Sequence, residues 1–168
     1  MKRLTGIIAV LMLLNVLPGY SQTLPSFDNT IRAIRYNAFP NLYYSFDSSD
    51  DFLQYPPAAI TGAVTLGLKA FGYESRSSWG RMFVSDAFSA AIMTAAVNGI
   101  KYTVGRPRPD GTSYNSFPSG HTATSFMLAT MMHKEYGWKS PWFSFGAYAV
   151  AAGTGISRII NDRHYATD

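Results

Sequence analysis

A chain of 168 residues with a net charge of +4, no cysteine and 15% aromatic residues excludes several classes of protein. That length holds one cored domain rather than two, and the absent thiols exclude a disulfide framework, a thiolate nucleophile and a cysteine-bound zinc. The basic balance suits an anionic ligand or a membrane surface, but no Lys/Arg cluster with interleaved aromatics appears, so no nucleic-acid partner is expected.

Lys2 and Arg3, the apolar run 7–17 and then Pro18-Gly19-Tyr20-Ser21 have the order of a secretory signal peptide over residues 1–21. The apolar run is short for a bilayer-spanning anchor, so cleavage after Ser21 is expected. The mature chain then works outside the cytoplasm, which in a Gram-negative cell means the periplasm. Residues 22–57 form a polar-aromatic lead-in broken by Pro25, Pro40, Pro56 and Pro57. Within it 31–36 offers one or two helical turns, and Asp47-Ser48-Ser49-Asp50-Asp51 suits the cap of a short helix. No chemistry is visible there.

Residues 58–168 read as an all-α helical bundle. A first apolar helix is expected over 58–71, followed by a polar loop to Gly80. The strongest helix covers 82–104 and is apolar on nearly every face around Asp86, which predicts a buried helix. Gly105-Arg106-Pro107-Arg108-Pro109-Asp110-Gly111 forbids helix and predicts an extended loop. A third helix follows over 120–133, then a polar connection 134–141 and a fourth helix over 142–160. No strand-period alternation competes, and no internal repeat is present. The uncharged runs 87–100 and 122–132 are short for a bilayer, while 140–157 carries a proline, glycines and hydroxyls. A soluble domain, able to associate with a membrane surface, is therefore expected, with a membrane-embedded domain as the alternative.

Chemistry collects in three places. In Phe117-Pro118-Ser119-Gly120-His121-Thr122, proline and glycine break regular structure just before an apolar helical run. Ser119 is placed as an N-cap, and the first free N–H groups of such a helix favour an anion. His121 in the first turn exchanges a proton near neutral pH. Lys101, at a helix end, and Arg108, in a proline loop seven residues later, offer a point charge and a planar fork for phosphate oxygens. Arg106 competes for the same role, and spacing alone does not exclude it. Arg158 ends the fourth helix, with His164 six residues on and Asp168 four beyond that. If 164–168 is helical, Asp168 lies over His164 and its carboxylate accepts from one ring nitrogen, leaving the other basic. His133, in the last turn of its helix, reads as a solvated or dipole-compensating residue. The histidine spacings give no compact metal-ligand set.

Together these segments resemble the type 2 phosphatidic acid phosphatase and vanadium haloperoxidase superfamily. Its signature is a lysine, six residues, then Arg-Pro; next Pro-Ser-Gly-His; then Ser-Arg, five residues, His, three residues, Asp. Every position is present from Lys101 to Asp168. The resemblance selects Arg108 over Arg106. It implies that Lys101, Arg108 and Arg158 hold phosphoryl oxygens, with hydrogen bonds from Ser119 and the Gly120 backbone. It implies also that His164 attacks phosphorus, that Asp168 orients it, and that His121 protonates the leaving oxygen and then activates water. No metal or other cofactor is implied. The expected function is an exported phosphatase for phosphomonoesters or lipid phosphates, acting through a phosphohistidine. The alternatives are a membrane-associated prenyl or lipid diphosphate phosphatase, or a non-catalytic helical protein that binds phosphate or lipid. Haloperoxidase chemistry has no support in the residues. In the family another helix normally follows the aspartate, so the resemblance implies a domain short of that helix at Asp168. Oligomeric state is not legible.

Overall fold

A computed structural model of the protein describes residues 20–38 and 56–168. The segment 1–19 and the turn cluster at Asp47–Asp51 lie outside the described residues. The chain divides into two compact units, 1–40 with Thr167 and 41–166 with Asp168. In the first, α1 (Tyr20–Ala38) is 19 residues long and runs through Pro25, well beyond the two turns expected around residues 31–36.

The second unit holds α2 (Pro56–Ala70), α3 (Trp79–Val104), α4 (Gly120–Tyr136) and α5 (Pro141–Ile160). Among the described residues every regular element is α-helical, as the patterning predicts. α2, α3 and α5 all pack against α4, and α5 does so most extensively. The α4–α5 seam is lined by Ala129, Ala147 and Ala151, small residues that let two backbones approach closely, with Met132 and Tyr136 completing the buried cluster. Tyr136 is fully buried, and its hydroxyl donates to the Thr65 carbonyl of α2 at 3.0 Å, which satisfies the phenol inside the core. The turn between the two helices needs glycine. A Cβ on Gly137 would stand 2.5 Å from the His133 carbonyl oxygen and 2.6 Å from Ser144 Oγ.

At the lower end of α4, buried Glu135 ties down the loop before α3. Its carboxylate accepts from Ser77 N at 2.9 Å, and its carbonyl accepts from Arg76 N at 3.1 Å. Lys134 sits 3.4 Å from the same carboxylate, so this buried charge has a partner. His133 hydrogen-bonds Ser144 Oγ at 2.6 Å on the surface, far from the other two histidines in role and surroundings.

One expectation about packing fails. Within α3 only Met82 is buried, while Phe83, Val84, Phe88 and Ile92 are each more than half exposed. Apolarity on every face reports a non-aqueous environment and does not say whether protein or lipid provides it. By length and composition α3 is also apolar enough to cross a membrane, with a mean hydropathy of 1.3 over its best 18-residue window.

Candidate active site

The site lies at the end of the second unit where α3 stops, α4 starts and α5 stops. Gly105 closes α3 in the left-handed region at φ 56°, its N–H bonding the Lys101 carbonyl at 3.1 Å. That conformation favours glycine, and it delivers the chain into Arg106-Pro107-Arg108-Pro109 directly after Lys101. The proline loop folds back on itself. Arg108 N donates to the Ser113 carbonyl at 2.9 Å, and Ser116 N donates to the Arg106 carbonyl at 3.0 Å. Asn115 then faces both cations. Its carbonyl accepts from Lys101 Nζ at 2.6 Å, and its side-chain oxygen accepts from Arg108 Nε at 2.9 Å.

Ser119 is the N-cap of α4, as its place before an apolar run predicts. Its buried hydroxyl oxygen accepts from Thr122 N at 3.4 Å and from Thr122 Oγ1 at 2.9 Å. Gly120 and His121 open the helix behind it.

Residues 161–168 form turns, not the helix on which the His164–Asp168 pairing was conditional. The pairing exists all the same. The α5 end is wrapped by Arg163 N and His164 N, both donating to the Arg158 carbonyl, at 3.1 and 3.2 Å. The chain then reverses so that Tyr165 N reaches Asp168 Oδ2 at 2.8 Å, and His164 Nδ1 lies 3.3 Å from the same oxygen. A four-residue turn closed by its own carboxylate thus does what an i,i+4 helical pair would have done. Arg106 Nη1 meets the other oxygen, Oδ1, at 2.7 Å.

A cleft of about 380 Å³ opens here, lined by Lys101, Arg108, Asn115, Gly120, His121 and His164. Ser119, Arg158 and Asp168 stand behind it. Arg158 is buried, and its charge acts on both histidines. All eight residues singled out from the sequence therefore meet at one end of one unit, five on the cleft wall and three as its support. Asn115, Ser116 and the contact of Arg106 with Asp168 were not foreseen. Nothing in a loop asparagine or serine announces which charge it will face.

The electrostatics separate the two histidines. Burial pushes the His121 pKa down from 6.5 to about 4, and the charges of Arg158, His164, Arg108 and Lys101 push the same way. Burial lowers the His164 pKa too, with Arg158 and Arg108 adding to it, but the hydrogen bond and charge of Asp168 oppose them. For Asp168, burial alone would raise the pKa. Hydrogen bonds from His164, Ser116 and Tyr165 N, with the Arg106 charge, outweigh it and hold the carboxyl below the usual carboxylate range. At neutral pH the arrangement is a neutral imidazole backed by a carboxylate, beside a second neutral imidazole among three cations.

The PAP2 superfamily pattern matches residues 82–168, just over half of the chain and the whole of the site. The chain belongs to the PAP2 superfamily. It is also similar to a protein of Porphyromonas gingivalis named lipid A 1-phosphatase, with 45% identity over 155 residues. That alignment takes in 90% of this chain and 33% of the relative, so the chain spans about a third of the relative's length. No solved structure shows a significant match.

Proposed function

We propose that this PAP2 chain is an exported phosphatase that removes phosphate from a phosphorylated lipid through a phosphohistidine intermediate, without a metal. The observation that carries the reading is the His164–Asp168 pair facing a cleft whose other walls hold Lys101, Arg108 and His121. A neutral imidazole with one nitrogen turned to a carboxylate has its other nitrogen basic and aimed. Fixed cations around it neutralise the charge of a phosphoryl group in transit, the role that a divalent ion fills in other phosphotransferases.

In this reading His164 Nε2 attacks phosphorus in line, forming the N–P bond as the bond to the leaving oxygen breaks. His121, protonated when the phosphate dianion offsets the surrounding positive charge, gives its proton to that oxygen. Now neutral, His121 takes a proton from water as the water oxygen attacks phosphorus. The N–P bond breaks, inorganic phosphate leaves, and His164 is restored. Lys101, Arg108 and Arg158 hold the equatorial oxygens, with Ser119 and the Gly120 N–H beside them. The signal-like pattern of residues 1–21 supports export.

The lipid substrate has two supports. One is the name of the P. gingivalis relative, which makes the phosphate of a lipid A-type glycolipid the first candidate. The other is a second cavity of about 300 Å³ between the same three helices, α2, α3 and α4, lined by Leu66, Phe83, Met127, Leu128 and Met131 among others. Its lining begins about one turn further along each helix than that of the cleft, at Gly62, Ala90 and Met127 against Ala58, Met93 and Thr124. A lipid tail fits such a surface and a small sugar phosphate does not use it. The exposed apolar face of α3 favours work at a membrane surface, with that face toward lipid.

The test compares a chromogenic phosphomonoester with a lipid phosphate, in EDTA, for wild type and Leu128→Trp. Expected are hydrolysis of both, an acid-labile phosphoenzyme, and about a tenfold loss in Leu128→Trp on the lipid alone. Phosphate binding without turnover would favour a non-catalytic binding protein, and loss of activity in EDTA would end the metal-free claim.

A further inference from the structure

Two arginines stand two residues apart in the proline loop, and they have different partners. Arg108 donates to Asn115 on the cleft wall. Arg106 turns away to Asp168, and its guanidinium lies 4.2 Å from the centre of the Tyr165 ring, which fixes the fork in place. The Asp168 side chain has no solvent exposure, so any freedom it has is set by its hydrogen bonds. Those bonds occupy both oxygens. Oδ1 takes Arg106; Oδ2 takes the Ser116 hydroxyl, Tyr165 N and His164 Nδ1. A carboxylate gripped on both oxygens cannot rotate, and His164 inherits its orientation.

We propose that Arg106 and Ser116 are positioning residues that lock the Asp168 carboxylate and thereby couple the phosphate-gripping loop to the histidine nucleophile. The geometry of the coupling is plain. Arg106 is two residues before Arg108, and Ser116 is three before Ser119. The Ser119 N–H also donates to the Asp168 carbonyl at 3.2 Å. The same loop that presents Arg108 to the cleft therefore holds the carboxylate behind His164 at two points, through Arg106 and Ser116, and the Asp168 backbone at a third, through Ser119 N. Movement of the loop displaces the phosphate grip and the nucleophile together, which keeps the line of attack in register. The proposal rests on His164 being the nucleophile only for its catalytic consequence; the lock itself is a statement about Asp168.

The groups that face the carboxylate are Arg106 and Ser116 from the loop, and His164 and the Tyr165 backbone from its own turn. Lys101 at the end of α3 adds positive charge, as do Arg108 and Arg158 through His164. Removing Arg106 deletes the one direct ion pair on Oδ1, so the carboxyl titrates at higher pH.

The experiment takes the full chain as Arg106→Met, Arg106→Lys and Ser116→Ala, with Arg163→Met as the control. Arg163 pairs with Asp110 at 3.0 Å on the surface of the same region and has no contact with the carboxylate. Two readouts are taken: kcat, KM and the acid limb of kcat on a chromogenic phosphomonoester, and the ¹³C titration of the Asp168 carboxyl. In Arg106→Met we expect kcat to fall by about 10- to 100-fold with little change in KM. The carboxyl midpoint and the acid limb should both rise by about one to two pH units. Arg106→Lys recovers part of each, Ser116→Ala moves both in the same direction by less, and Arg163→Met moves neither. The proposal is overturned if the carboxyl midpoint stays put in all of the Arg106 and Ser116 variants. It is overturned equally if Arg106→Met raises KM and the vanadate inhibition constant in step with kcat intact, since Arg106 then grips substrate. A wild type without turnover whose carboxyl midpoint still moves on substitution supports the lock and rejects the phosphatase reading instead. Should Arg106→Met fail to fold, Arg106→Lys and Ser116→Ala read the same midpoint.

Discussion

The surroundings of His164 and of His121 are built on opposite plans, although both histidines face one cleft. His164 sits in a turn of directional hydrogen bonds that end on a single buried carboxylate. His121 sits in the first turn of a capped helix, where diffuse positive charge from Arg158, Arg108 and Lys101 surrounds it. The first plan fixes a direction and keeps one nitrogen basic. The second fixes a proton affinity that depends on what else is in the cleft. In the proposed reading the same side chain attacks in one place and donates in the other, and the neighbours alone make the difference.

The sharpest way to break that contrast is to remove each histidine in turn. If His164 is the nucleophile proposed above, His164→Ala should lower kcat at least about 10⁴-fold on every substrate and abolish the phosphoenzyme. His121→Gln should cost about 10³-fold on an alkyl phosphate but only about tenfold on p-nitrophenyl phosphate, whose leaving group needs no proton. Equal losses on both esters would mean that His121 is not the acid.

A smaller effect tests the charge argument directly. Followed by NMR, the His121 ring should titrate near 4 in the empty protein, and inorganic phosphate should move the midpoint upward as the dianion offsets the three cations. The His164 ring should respond less, since Asp168 already opposes those charges. A His121 midpoint indifferent to phosphate would remove it from the site.

The smallest effect is on stability. His121 has a folded pKa of about 4 against 6.5 in an ordinary setting, so the unfolded chain takes up its proton first as pH falls. Stability is therefore full above about 6.5 and lost between there and 4, and His164 acts in the same direction. Tm should fall by about 5 °C more in wild type than in His121→Gln across that window, as read by calorimetry. A Tm–pH curve identical in the two proteins would mean that His121 is not held neutral in the folded state.

Much of the site was legible because its residues announce themselves by type and spacing. Ser119 before Gly120-His121-Thr122 is an N-cap by local chemistry, and the structure has it capping Thr122 N. Lys101, Arg108, Arg158, His164 and Asp168 stood at the spacings of a known signature, and all reach one end of one unit. The helices of the second unit were legible within a few residues from proline, glycine and apolar runs. The length of α1 was not, because propensity over 22–38 is weak and Pro25 argued against it. Asn115, Ser116 and the partner of Arg106 were not legible either, since a polar loop residue acquires meaning only from the charge placed opposite it.

What the sequence determined on its own was the set of candidate site residues and the helical frame, because capping, proline geometry and apolar periodicity act over a few residues. How much of α3 stays exposed, which carboxylate oxygen receives Arg106, and how a turn rather than a helix brings Asp168 to His164 were decided by the tertiary structure. Those depend on groups up to 62 positions apart meeting in space, as Arg106 and Asp168 do. Local preference carries no information about such meetings; only the packing of the helices, the proline loop and the turn after α5 around one cleft supplies it.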